Sequence, residues 1–191
     1  MSTRLFGRRL AGVSLCVLVA GCATPSIKDR TSPLTAAEQK FMMSAAENSN
    51  AEVVAGKMAV KKATNPQVKA FAQRMVDEHM HMNHDMLKLA DDKDITIPKT
   101  PDEQHNEEAA MMAQMSGAEF DTAYMNAQVA DHSKTVAMFE QNARTAVDPD
   151  LQAFIAKHGP MMRDHLQAAQ ALSQTISTAA TPALRPGTVQ P

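Results

Sequence analysis

Histidine recurs in this chain at positions where a helix would bury it. Steps of three and four residues give Val68, Ala72, Met75, His79, Met82, Met86 and Leu89, a stripe that is apolar except for one imidazole. The same steps give Met125, Val129, His132, Val136, Phe139 and Ala143, and then Leu151, Ile155, His158, Met162, His165, Ala169 and Leu172. A less regular stripe, Phe41, Ala45, Asn48, Glu52, Ala55 and Ala59, sets one carboxylate among small residues. Burying such groups unpaired costs several kcal/mol, so they must meet each other, water or an ion. Glu52, His79, His132 and His165 together make a ligand set for Zn, Cu, Fe or Mn. A hydrogen-bonded Glu and His cluster that fixes helix register without an ion meets the same requirement, and the sequence leaves both open.

Other chemistry is thinner. Met80-His81-Met82-Asn83-His84-Asp85-Met86 alternates thioether and imidazole, which would suit Cu(I). Equally, Met82 and Met86 fill a core while Met80, His81 and His84 face outward. Glu78 and His81 have the Glu-x-x-His spacing of carboxylate-bridged di-iron sites. Those sites need the motif on two helices, and the segment from Pro149 to Ile176 has no Glu at all. No nucleophile elbow, Ser-x-x-Lys pair or glycine-rich phosphate loop occurs. No catalytic residue is identified, and any enzyme activity would have to be metal-based.

The elements that must carry these residues are helices. Thr35 with Glu38 reads as a capping box opening a helix to about Ala63, and Asn65-Pro66 opens a second to about Lys93. Pro98 and Pro101 interrupt the chain before a short connecting helix over 102–114. Ser116 with Glu119 reads as another capping box for a helix to about Ala146, and Asp148-Pro149 starts a last one fading near Ile176. An all-α, antiparallel four-helix bundle over 35–177 follows, with a disordered tail over 178–191. The midpoints of antiparallel helices share one height, so Glu52, His79, His132 and His165 should converge.

The N-terminus adds a location. Arg4, Arg8 and Arg9 precede an apolar run from Leu10 to Ala20, the layout of an export signal and too short to span a bilayer. Val19-Ala20-Gly21-Cys22 resembles the lipobox of bacterial lipoproteins, which implies a signal peptide over 1–21, a lipidated Cys22 and a linker over 22–34. Ala23 after that cysteine implies outer-membrane retention and a chain facing the periplasm, its membrane contact made through the lipid anchor. Residues 1–22 hold three of the 19 basic side chains and none of the 21 acids, so the rest has 16 Lys and Arg against 21 Asp and Glu, a formal charge of −5. That balance argues against nucleic acid as a partner. With Cys16 in the signal and Cys22 acylated, no disulfide can form, and the absence of Trp leaves Ala, Met, Val and Leu to fill a helical core.

Several segments carry a wider resemblance: Ala51-Glu52-Val53, the run Asn65-Pro66-Gln67-Val68-Lys69-Ala70-Phe71 through Asp77-Glu78-His79, Phe120-Asp121-Thr122-Ala123-Tyr124, Asp131-His132, Pro160 and His165-Leu166. The chain resembles, over about 36–172, the exported bacterial family catalogued as domain of unknown function 4142. The resemblance implies a ferritin-like bundle and matches Glu52, His79, His132 and His165 to the family's recurring polar positions, but it brings no activity. Gly159 stands where the family commonly has an apolar residue before the proline. Two functions are expected from these readings: a transition-metal-binding envelope lipoprotein, or a non-enzymatic envelope module that binds an unknown protein partner and no metal.

Overall fold

Thr35 and Glu38 start the first helix by exchanging hydrogen bonds. The threonine hydroxyl accepts the Glu38 N–H, and the Glu38 carboxylate accepts the Thr35 N–H at 2.9 Å. The structure, a computed structural model, describes residues 33–180, and five helices and no strand occur among them. These are α1 Ala36–Lys62, α2 Pro66–Asp92, α3 Glu103–Gln114, α4 Gly117–Thr145 and α5 Pro149–Ala180. The expected signal segment, Cys22 and the tail beyond residue 180 lie outside the described residues.

Asn65 caps α2 by accepting the Gln67 N–H at 2.8 Å, with Pro66 in the first turn, where its missing N–H costs nothing. Asp102 caps α3 through the His105 N–H, and Asp148 caps α5 through the N–H groups of Asp150 and Leu151. At α4 the expected capping box is not formed: Ser116 makes no side-chain bond to the helix. The chain turns there instead on Gly117, whose φ of +58° is a conformation that favours glycine. Helix α5 continues past the end expected near Ile176 and carries Pro160 within it.

α1 packs along α2 and α4 along α5; α1 also meets α4, α2 meets α5, and α3 lies against α1 and α4. The first pair is close. A Cβ added to Gly56 on α1 would stand 2.8 Å from Val76 Cγ2 and 3.1 Å from the Ala72 carbonyl oxygen on α2. Two acids hold the turns from the other side of the molecule. Asp121 on α4 accepts the N–H groups of Thr64 and Asn65 and the Thr64 hydroxyl, while Glu38 on α1 accepts the N–H groups of Val147 and Asp148. Buried Lys93, at the end of α2, pairs with Asp148 at 2.6 Å and Asp150 at 2.9 Å.

The apolar interior falls into two clusters. One gathers Phe41, Met42, Met82, Met86, Phe139, Leu151 and Met162, with Phe41 edge-on to Phe139 at 5.1 Å. The other gathers Ala59, Val68, Met75, Phe120, Tyr124, Met125 and Ala169. Along each long helix a polar residue sits between the two: Ser49 and Glu52 on α1, His79 on α2, His132 on α4 and His165 on α5, all of them buried. Among the described residues no helix is long and apolar enough to cross a membrane.

Candidate metal centre

The three histidine rings of this polar layer face one another. Ring centroids lie 5.6 Å apart for His79 and His132, 5.3 Å for His79 and His165, and 5.2 Å for His132 and His165. One ring nitrogen from each falls within 4.8 Å of the others, so the group could hold a metal ion. None of the three residues is more than 2 % exposed.

The outer partners decide which nitrogen of each ring carries hydrogen. His132 Nδ1 lies 3.0 Å from the Gln128 carbonyl oxygen, which can only accept, so Nδ1 is the protonated atom and Nε2 has the lone pair. His165 Nε2 lies 2.5 Å from Glu78 Oε2. Burial raises the Glu78 carboxyl, but hydrogen bonds from Arg74 and His165 outweigh it and hold it below the ordinary range, so an ionised acceptor faces that ring. His165 therefore donates from Nε2 and leaves its lone pair on Nδ1. Ser49 Oγ lies 3.0 Å from His79 Nδ1 and is also in reach of the His79 carbonyl oxygen at 3.5 Å. With the hydroxyl hydrogen directed at that carbonyl, His79 Nδ1 donates to Ser49, and its Nε2 is left as a buried atom without a partner.

Three lone pairs thus point into one space. His132 Nε2 and His165 Nδ1 are 3.2 Å apart there. Moving a hydrogen between those two atoms does not help within neutral rings. Placed on His132 it would leave a lone pair facing the Gln128 carbonyl, and placed on His165 it would leave one facing the Glu78 carboxylate. A positive charge at the centre removes the conflict. An added proton is opposed by the surroundings: burial first, then repulsion from neighbouring imidazoles, depresses His79 well below the usual histidine range. Burial likewise lowers His165 to about 4, against the pull of Glu78. A divalent ion with metal–nitrogen bonds of roughly 2.0–2.1 Å in tetrahedral geometry would set its donors about 3.3 Å apart, close to the 3.2 Å between His132 Nε2 and His165 Nδ1.

Glu52 departs from the expected ligand set. Its Oε1 lies 3.5 Å from His132 Nδ1, on the side of that ring away from the lone pairs, and its Oε2 accepts from Gln128 Nε2 at 2.5 Å. Burial raises its carboxyl despite His132 and Gln128. The physical reason is helix rotation: Ser49, one turn earlier, takes the α1 position facing His79. Ser49, Glu78 and Gln128 are the site residues that the stripes did not reveal. Glu78 carried a signal, its place beside His79, but its bond crosses to α5 from a half-exposed position that no apolar period marks.

The remaining chemistry lies elsewhere. His158 is buried, yet it bonds Asp85 at 2.9 Å and is absent from the histidine group. Met82 and Met86 are core, whereas Met80, His81 and His84 face outward.

The model of the family described as domain of unknown function DUF4142 matches residues 23–172. No curated protein matches the sequence. Two solved structures are similar in fold. A DUF305 fragment from Deinococcus radiodurans has a TM-score of 0.67 at 11% identity, covering 75% of this chain and 99% of its own. A candidate spore coat protein from Bacillus halodurans C-125 has a TM-score of 0.63 at 12% identity, covering 82% of this chain and 98% of its own.

Proposed function

We propose, for a chain that belongs to the family described as domain of unknown function DUF4142, that it binds one transition-metal ion on His79 Nε2, His132 Nε2 and His165 Nδ1. The convergence of three buried lone pairs, two of them 3.2 Å apart, carries this reading. Ser49, Gln128 and Glu78 orient the rings from outside, as hydrogen-bond acceptors behind metal-bound imidazoles do. Glu78, held ionised by Arg74 and His165, supplies negative charge behind a divalent ion bound by neutral ligands. A donor set of three imidazoles favours Zn or Cu over Mn, with Fe between them.

In this reading the long helices α1, α2, α4 and α5 form an antiparallel, ferritin-like four-helix bundle, with α3 as the connector. The export signal and lipobox support a lipoprotein anchored through Cys22 and facing the periplasm from the outer membrane. The role is metal binding in the cell envelope, for storage, sensing or protection, and no reaction is assigned.

Elemental analysis tests it on the full chain purified without a polyhistidine tag. Near-stoichiometric metal is expected, and His132→Ala should lose it. A metal-free chain whose melting temperature does not rise with Zn, Cu, Fe or Mn would overturn the proposal.

A further inference from the structure

Of the residues hydrogen-bonded or ion-paired to the three histidine rings, Ser49, Gln128 and Glu52 are buried, and Glu78 alone among the described residues reaches solvent, its side chain 36 % exposed. From α2 it meets His165 Nε2 on α5 with one oxygen, and its other oxygen takes the Arg74 guanidinium at 3.0 Å. The same arrangement recurs along that seam. Asp85 lies seven residues after Glu78 and His158 seven before His165, and Asp85 Oδ2 accepts from His158 Nε2 at 2.9 Å and from Lys157 Nζ at 2.7 Å. Numbers that rise on α2 fall on α5, the register of antiparallel neighbours. Two acid-to-imidazole bonds, about 10 Å apart along the helix axis, therefore tie α2 to α5.

Beside the second of these bonds the seam widens into a groove of ≈ 560 Å³, lined by Asp85 and Leu89 from α2 and by Phe154, Lys157 and His158 from α5. The other seams are closed by different means. α1 meets α2 at Gly56 with no room for a methyl group, and α3 lies against both α1 and α4. A cavity of ≈ 210 Å³ between α4 and α5 is lined by Phe139, Ile155 and Pro160, none of which bonds a ring of the cluster. Parting apolar surfaces exposes them to water at a cost that grows with their area. Charged pairs already half in solvent exchange their partners for water at little cost. The α2–α5 seam is thus the one that separates most easily next to the buried histidines.

We propose that the α2–α5 seam is the gate of the histidine site, latched by Glu78 on His165 and by Asp85 on His158 and Lys157, through which a transition-metal ion enters and leaves. Opening of this local kind leaves the α1–α2 and α4–α5 pairs folded. The cargo rests on the histidine cluster being the metal site, but the opening is measurable without metal.

Diethyl pyrocarbonate, which acylates neutral imidazole nitrogen, tests the gate on the full chain stripped of metal by a chelator, with each histidine read by peptide mass spectrometry. Asp85→Ala should raise the modification rate of His79, His132 and His165 roughly fivefold, with amide hydrogen exchange around Gly56 unchanged. Glu140→Ala, which removes the 3.9 Å pair with Arg163 across α4 and α5, should leave the rate as in the unsubstituted chain. In the metal-loaded chain Asp85→Ala should speed uptake and release by similar factors, so that affinity is kept. An unchanged modification rate in Asp85→Ala, or one raised together with amide exchange throughout the chain, overturns the gate whether or not metal binds. Faster modification in a chain with no affinity for metal overturns the histidine-site reading and the ion as cargo, while the opening seam stands.

Discussion

His132 Nε2 faces His165 Nδ1 across 3.2 Å, and the bonds on the far sides of both rings leave neither atom a hydrogen. Two acceptors at that distance repel each other unless a cation stands between them. Because the hydrogen positions follow from Gln128, Glu78 and Ser49, changing those partners tests the relationship without touching a proposed ligand.

Glu78→Ala should leave the metal stoichiometry at one and lower the affinity roughly 10- to 100-fold, the usual effect of losing a carboxylate behind a metal-bound histidine. Competition with a chromophoric chelator measures it. If Glu78 is only the surface partner of Arg74, affinity will not change, and the ion pair itself is worth at most about 1 kcal/mol.

Ser49→Ala removes the hydrogen-bond acceptor of His79 Nδ1. A buried donor left bare costs about 1–3 kcal/mol, so the urea midpoint should fall by that equivalent. Metal should recover part of the loss, since binding to the folded chain alone stabilises it. Unfolding curves that coincide with those of the unsubstituted protein would count against the assigned hydrogen positions.

The helices were legible from local chemistry, and so were the histidines, because an imidazole interrupting an apolar stripe stands out at any register. The expectation failed where side chains decide between two adjoining helix faces. Glu52 and Ser49 are both buried, and the stripe through Ala45 and Asn48 could not show that Ser49 faces the histidines while Glu52 stands behind His132. Ser116 failed for a different reason. The spacing to Glu119 suits a cap, but a positive φ at Gly117 sets the geometry of that turn, and backbone dihedrals leave no periodic trace.

Gly56→Ala weighs two opposed effects. Alanine is about 1 kcal/mol better than glycine inside a helix, but its methyl group would press on Val76 Cγ2 and the Ala72 carbonyl, and overpacking costs about 1–3 kcal/mol. A net destabilisation of up to about 2 kcal/mol is expected from chemical denaturation. Adding Val76→Ala should recover part of it by clearing the closer contact. A Gly56→Ala protein more stable than its parent would show that the α1–α2 seam opens freely.

Glu38 gives the chain a defined acid sensitivity. Burial pushes its carboxyl upward, but N–H groups of Asp148, Thr35 and Val147 and the Thr35 hydroxyl outweigh that and lower it. A carboxyl lowered in the folded state stabilises above its unfolded value, about 4.3, and loses that contribution as pH falls through the folded value. Glu38→Gln should therefore cost about 2–3 kcal/mol at pH 7, because an amide nitrogen would face N–H donors. It should also flatten the decline in stability below about pH 4.5. Denaturation midpoints at pH 7, 5 and 3.5 check both parts. A substituted chain running parallel to its parent at all three would mean that Glu38 does not join α1 to the α4–α5 turn as a charged group.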